Sequence, residues 1–283
     1  MYITEEWVRQ HLPKRDIKGN KGSFGKLFAV IGSAEYKGAA HLALEAALRG
    51  GVGYTHVAVA DDQLYNTLLC RFPEAIYHRI ESLDKCTVPP TCDTVLIGCG
   101  CGVSEELYRF ILSVLFSSVS NVILDADALN SVAKYASDPK EVLTRVGKNV
   151  VITPHPLEMA RLLRESVERV EEDREGVAEA FARATGATVI LKGYNTAVAS
   201  ADALMVNTTG TSALAKAGSG DCLAGFLASL IATGLTDPNT AAAIAVFIHG
   251  MAGDMLSRSL SDFGVTPSDL PRKMAEVVAF LRN

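Results

Sequence analysis

Asp221 is a lone carboxylate placed where a run of small residues, Ala217-Gly218-Ser219-Gly220, meets a strongly apolar helical pattern. Glycine lets a backbone approach a ligand closely, and a helix start presents unpaired N–H groups at the positive end of its dipole. Such a cradle beside an acid suits one kind of chemistry. The N–H groups hold a phosphate or another developing anion, and the carboxylate takes a proton from the attacking group. The competing account is an ordinary helix N-cap, for which Asp is a favoured residue.

Other polar motifs follow apolar runs in the same way. The run from Lys26 ends in Gly32-Ser33, after which Tyr36-Lys37-Gly38-Ala39-Ala40 opens a helical pattern. Gly98-Cys99-Gly100-Cys101-Gly102 follows Val95-Leu96-Ile97, and Asp125-Ala126-Asp127 follows Val122-Ile123-Leu124. Pro154-His155-Pro156, with Glu158 just beyond, follows Val150-Val151-Ile152. Lys192-Gly193-Tyr194-Asn195-Thr196 follows Val189-Ile190-Leu191. A lysine there neutralises phosphate charge while Gly193 permits close approach; a solvated hairpin lysine is the alternative. His155, locked between prolines in a rigid exposed turn, is either structural or catalytic.

Two nucleotide motifs are excluded or weakened. No Walker A run occurs, so there is no P-loop. The glycines at 98 and 100 begin a dinucleotide-binding loop, but Val103 occupies the third glycine's position and no acid ends a matching second strand. The six cysteines (70, 86, 92, 99, 101 and 222) form no C-x-x-C pair and no zinc-site spacing, and read as small buried apolar residues in a reducing compartment. Cys222 reads as helix packing.

The elements that must position these residues alternate. Strands are expected over 26–33, 54–60, 93–98, 121–125 and 149–153, with helices over 39–50, from Ser104, from Leu157 and from Val170. Near-continuous Val/Ile runs between helices indicate a parallel sheet covered on both faces. Segments 188–192, 196–200 and 204–207 read as antiparallel additions joined at Gly193-Tyr194-Asn195 and Ala201-Asp202. Helices over 221–233, 238–258 and 268–282 follow, and the charged run 168–175 reads as the wet face of a helix. In such a sheet ligands bind at the carboxyl ends of the strands, where the motifs above fall. With no linker or repeat, 1–283 reads as one domain.

Composition narrows the partners. At 283 residues with 48% hydrophobic side chains the chain builds a substantial core, and a net charge of −5 lacks the basic footprint of nucleic-acid or membrane-surface binding. No apolar run reaches the eighteen or so residues of a membrane span, the longest (241–253) being interrupted by His249. The N-terminus has early acids and no apolar signal core, which points to the cytoplasm.

In chain order the motifs form a series: GS…YxGAA, GxGxG, DAD-x-LN, TPHPxE, KGxxT and AGSGD-x-LAG. This series resembles the ribokinase-like superfamily, and within it the ADP- or ATP-dependent NAD(P)H-hydrate dehydratases, from Lys21 to the helix after Gly234. Related thiazole and pyrimidine kinases carry TPNxxE, where this chain has His155. Thr211-Ser212 replaces the family's common Asn-Pro, and no epimerase domain precedes the repair domain, so a separate epimerase protein is expected. The resemblance implies a three-layer α/β/α fold with a largely parallel central sheet, and a lyase that restores reduced cofactor from the 6S hydrate of NADH or NADPH. It implies phosphorylation of the hydrate by ADP or ATP with Mg²⁺, then phosphate release. Asp221 is the implied base, and Ala40, Gly102 and His155 line the hydrate site with it. Lys192, Gly193, Tyr194, Asn195, Thr196 and Gly220 contact the nucleotide, Gly218, Ser219 and Gly220 form the anion hole, and Glu158 holds Mg²⁺ through water. A homo-oligomer, commonly a tetramer, is also implied. The alternatives are a small-molecule kinase of the same fold and a non-catalytic nucleotide-binding module, against which a carboxylate beside phosphate argues.

Overall fold

Val-, Ile- and Leu-rich runs become a ten-stranded sheet, because branched side chains pack well on a pleated surface covered from both sides. The computed structural model describes residues 1–144, 149–235 and 237–283. The strands are β1 (Tyr2–Ile3), β2 (Lys26–Val30), β3 (Tyr54–Val59), β4 (Ile76–Arg79), β5 (Thr94–Ile97), β6 (Asn121–Leu124), β7 (Asn149–Ile152), β8 (Thr188–Leu191), β9 (Ala197–Ala199) and β10 (Leu204–Asn207). The helices are α1 (Glu5–His11), α2 (Lys37–Arg49), α3 (Asp62–Arg71), α4 (Glu105–Leu115), α5 (Asp127–Tyr135), α6 (Pro139–Leu143), α7 (Pro156–Leu163), α8 (Val167–Glu172), α9 (Arg174–Thr185), α10 (Ser219–Ala232), α11 (Pro238–Gly264) and α12 (Leu270–Arg282).

The sheet order is β1-β10-β9-β8-β7-β6-β5-β2-β3-β4. Pairing is parallel except at β8–β9 and β9–β10, so the expected antiparallel additions are found. Alternation along β2 divides the core. Leu27, Ala29 and Ile31 pack with residues of α2, α10, α11 and α12, while Phe28 and Val30 face the side covered by α4, α5, α7 and α9. The molecule is therefore a three-layer α/β/α structure. The order reverses where β5 and β2 meet, and their connections leave in opposite directions, opening a crevice at the strand ends.

Helix starts divide into two groups. Side chains of Thr4, Asp61, Ser104 and Asp237 cap α1, α3, α4 and α11. No side chain caps α12, or α2, α5 and α10, the last three of which start beside the crevice. On the covered side, Gly225 brings α10 against α2 so closely that a Cβ would collide with the Ala43 carbonyl oxygen.

The structure departs from the sequence expectations in several places. β1, α1, α3, β4, α5 and α6 were not anticipated. The helix expected from Val170 is two helices, α8 and α9, which meet at Asp173; that residue has left helical geometry and caps α9 through the Gly176 N–H. The charged run 168–175 is largely exposed, as expected, but straddles that break. α11 continues to Gly264, with its backbone leaving helical geometry at Ser261. By length and composition α11 does qualify as a membrane span, contrary to the sequence reading, yet 72% of its most apolar stretch is buried. It packs against α1, α10, α12 and the sheet as a core helix.

Candidate active site

The ends of β6, β7, β8 and β10 and the start of α10 surround a cavity of about 660 Å³. β6 delivers Asp125 and Ala126, β7 delivers His155 and Glu158 through the start of α7, and the β8–β9 turn delivers Lys192 through Thr196. Gly218 to Asp221 and Thr209 to Ser212 also line it, and the Lys192 ammonium lies against Gly220. Ala126 holds a positive φ of 47°, a sparsely populated conformation for a residue with a side chain, and this strain sits on the cavity wall.

A charge network lies beneath the cavity. Asp125 is 1% exposed, and its Oδ1 accepts from the Thr153 hydroxyl at 2.6 Å and the Lys192 ammonium at 2.9 Å. Lys192 also lies 3.9 Å from Glu158. Burial works to discharge this lysine, but Asp125 and Glu158 outweigh it and hold the ammonium more firmly than usual. The Cys99 thiol, fully buried after β5, donates to Asp125 Oδ2 at 3.6 Å. Sγ of Cys99 and carboxylate oxygens of Asp125 and Asp221 lie within 4.8 Å of one another. Burial first, then the Asp125 charge, pushes the Asp221 carboxyl up to about 7, with Lys192 opposing. Asp221 is thus poised to exchange a proton near neutrality.

His155 is the N-cap of α7. Its Nδ1 accepts from the N–H groups of Leu157 and Glu158, while the Glu158 carboxylate accepts from the His155 N–H at 2.8 Å. Burial and the Lys192 charge push the imidazole down to about 4, so it is neutral at ordinary pH. With Nδ1 accepting, the proton sits on Nε2, which faces Glu158 Oε1 at 3.3 Å. Burial also pushes Glu158 up to about 6.

The cradle at α10 begins at Gly218, whose φ is 102°, and Asp221 is a residue of the first turn rather than its cap. A glycine cap leaves the first-turn N–H groups at the cavity wall without a side-chain acceptor, although the Ser219 N–H donates to the Lys216 carbonyl oxygen at 3.1 Å. His249, buried in α11, reaches across with Nε2 3.0 Å from the Ser219 hydroxyl and 3.1 Å from its carbonyl oxygen. Asp254 accepts twice from the Gly210 N–H, at 3.1 and 3.0 Å, fixing the loop after β10. Thr211 caps the turn that follows by accepting from the Ala213 N–H.

Most of the expected site residues meet here: His155, Glu158, Lys192, Gly193, Tyr194, Asn195, Thr196, Gly218, Ser219, Gly220 and Asp221 all line the cavity. Ala40 and Gly102 stand apart from it. Ala40 is fully buried in the first turn of α2 against Gly32, and the Gly102 N–H donates to Asp127 at 2.8 Å. The sequence reading missed Asp125 as the partner of Lys192, together with Thr153, His249 and Asp254. Of the cysteines expected to be small buried apolar residues, Cys70 is exposed and Cys101 only partly buried, while Cys99 is buried in the core with its thiol also donating to Asp125. Cys222 is buried in α10, as expected of a packing residue.

Comparison with known proteins identifies the family and the fold. A family model described as NAD(P)H-hydrate dehydratase matches residues 27–276. The ADP-dependent (S)-NAD(P)H-hydrate dehydratase of Neisseria meningitidis serogroup B is 37% identical over 93% of this chain and 87% of its own length. A bifunctional NAD(P)H-hydrate repair enzyme of Moorella thermoacetica is 35% identical over 95% of this chain, which spans only 52% of that larger protein. The Bacillus subtilis ADP/ATP-dependent NAD(P)H-hydrate dehydratase, co-crystallised with ATP/Mg²⁺, superposes with a TM-score of 0.88 at 30% identity, covering 99% of this chain and 98% of its own. Cradle, buried lysine, capped histidine and matched relatives together place this chain in the NAD(P)H-hydrate dehydratase family.

Proposed function

We propose that the protein is an ADP- or ATP-dependent lyase that restores NADH or NADPH from its 6S hydrate. The observation that carries the reading is Asp221, raised to about 7, in the uncapped first turn of α10, where the Lys192 ammonium lies against the neighbouring Gly220 on the wall of the same cavity. Asp221 takes the proton of the hydrate's 6-hydroxyl as that oxygen attacks the terminal phosphorus of the nucleotide. The bond from phosphorus to the nucleotide's bridging oxygen breaks, leaving AMP from ADP or ADP from ATP. The N–H groups of the Gly218–Gly220 cradle hold the transferring phosphoryl oxygens as charge builds. The ring nitrogen's lone pair then expels phosphate from C6, and loss of a proton from C5 restores the dihydronicotinamide.

Lys192 and the turn through Thr196 hold the nucleotide, with Gly220, while His155 borders the hydrate from within the cavity and Ala40 and Gly102, which do not line that cavity, border it from the neighbouring crevice at the ends of β2 and β5. For Ala40, whose side chain is buried, the contribution is through the backbone at the start of α2. Mg²⁺ suits the oxygen donors present: Glu158 lines the cavity with its carboxylate held by His155 and Lys192, which fits contact through water. When bound, the ion neutralises charge on the phosphate oxygens. The same reading takes 1–283 as one domain of a cytoplasmic homo-oligomer, a tetramer by family resemblance, supplied with substrate by an epimerase.

The deciding assay incubates purified protein with the hydrate, Mg²⁺ and either nucleotide, and follows the absorbance of reduced nicotinamide. Recovery coupled to phosphate release supports the reading. A stable phosphorylated product without recovery supports a small-molecule kinase instead.

A further inference from the structure

We propose that Cys99 is a positioning residue for the reaction above: its thiol gives its hydrogen bond to Asp221 while that carboxylate is ionised, and returns it to Asp125 once Asp221 holds a proton. The inference rests on the function just described and on the geometry around one sulfur atom. Sγ donates to Asp125 Oδ2 at 3.6 Å, and it lies within 4.8 Å of an Asp221 carboxylate oxygen. Asp125 does not depend on it, because its other oxygen already accepts from Thr153 and Lys192. A thiol carries one proton, so it serves one carboxylate at a time. The exchange needs rotation of the S–H bond about Cβ–Sγ and, at most, a small approach of the Asp221 carboxylate from its place within 4.8 Å, and the proton stays on sulfur throughout.

The site keeps that proton in place. Burial, with the charges of Asp125 and Asp221, holds the Cys99 thiol well above its ordinary range, so it remains a donor at any working pH. The backbone is fixed as well, since the Cys99 carbonyl oxygen accepts from the Gly32 N–H at 2.7 Å where β2 and β5 part. The other charged or titratable groups around Asp221 and its cavity are Asp125 and Asp127 beyond β6, Lys192 and Tyr194 beyond β8, His155 and Glu158 at the start of α7, Lys216 before α10, His249 of α11 and Cys101. Lys192 is committed to Asp125, and His249 to Ser219. Cys99 is the neutral donor placed between the two carboxylates.

Two measurements test this. In the pH–rate profile, Cys99→Ala should move the acid limb to higher pH by about half a unit or more, since loss of a donor to the charged form raises a carboxylate's pKa. Cys99→Ser, a stronger donor of similar shape, should restore the limb or move it lower. Nucleotide affinity should stay near the wild-type value in both. In infrared spectra, the S–H stretching band assigned by its loss in Cys99→Ala should shift as pH rises through the limb, and Asp221→Asn should abolish that shift. A Cys99→Ala enzyme with reduced turnover but an unmoved limb would show mere packing and overturn the proposal, as would an S–H band indifferent to Asp221→Asn. The infrared measurement needs no substrate. A pH-dependent band in a protein inactive on the hydrate would uphold the thiol–carboxylate exchange while rejecting the reaction.

Discussion

Replacing Asp221 with asparagine separates catalysis from stability. The carboxyl is raised from an ordinary 3.8 to about 7, chiefly by burial and secondly by Asp125. Three units at about 1.4 kcal/mol each give an upper bound of roughly 4 kcal/mol, and solvent reaching the cavity wall reduces this to about 2 kcal/mol. The sign follows from linkage. A raised folded-state pKa favours the native state in acid, and that advantage is lost as pH climbs from the unfolded value through about 7. Above about pH 7 the ionised carboxylate therefore strains the fold. Asp221→Asn should be more stable than the wild type at about pH 8, and the gap should close as pH falls toward about 4. Urea denaturation at several pH values reads this directly. Turnover should fall by about 10²-fold or more, the usual contribution of a positioned base, while nucleotide binding persists. An asparagine variant no more stable than the wild type at about pH 8 would refute the buried-charge argument. Near-native turnover would remove Asp221 as the base.

Three further outcomes are expected. Lys192→Met leaves Asp125, 1% exposed, without its ion partner, and should destabilise by about 3 kcal/mol in urea titration while weakening nucleotide binding; a loss under about 1 kcal/mol would contradict the buried pair. Gly225→Ala drives a methyl into the Ala43 carbonyl, so thermal unfolding should report a loss of about 2 kcal/mol or more, whereas a neutral change would mean α2 and α10 are less tightly fixed. Because His155 stays neutral down to about 4, His155→Asn should raise KM for the hydrate without altering the shape of the pH–rate profile, and His155→Ala should also cost about 1 kcal/mol through the lost cap. A change in the profile near neutrality would assign His155 a proton-transfer role.

The central strands were legible because buried parallel strands are short unbroken apolar runs, and the polar residues after each run mark the ligand end of the sheet. Asp221, Lys192 and His155 followed from that rule. The missed elements carry weaker patterns. α3 buries only Leu64 and Leu68, and β4 has no fully buried residue. What sequence could not supply were pairings between distant strand ends. Asp125 was visible as a polar residue, yet its partner Lys192 is 67 positions away and two strands over. Cys99 is buried as its residue type suggests, and only the fold sets its sulfur beside two acids. His249 was visible as a break in an apolar run. Its meaning came from packing α11 behind α10.

The buried α11 bears on how the chain is made. It is long and apolar enough to engage a lipid bilayer, and such a segment emerging alone from the ribosome is exposed to membrane insertion and to aggregation. Of the elements that pack on it, α1, β8, β9, β10 and α10 all precede it in the chain, and α12 comes later. The surface that shelters it is therefore synthesised first. Moving α11 toward the N-terminus by circular permutation would keep every native contact and remove that protection, making synthesis rather than stability the step that fails.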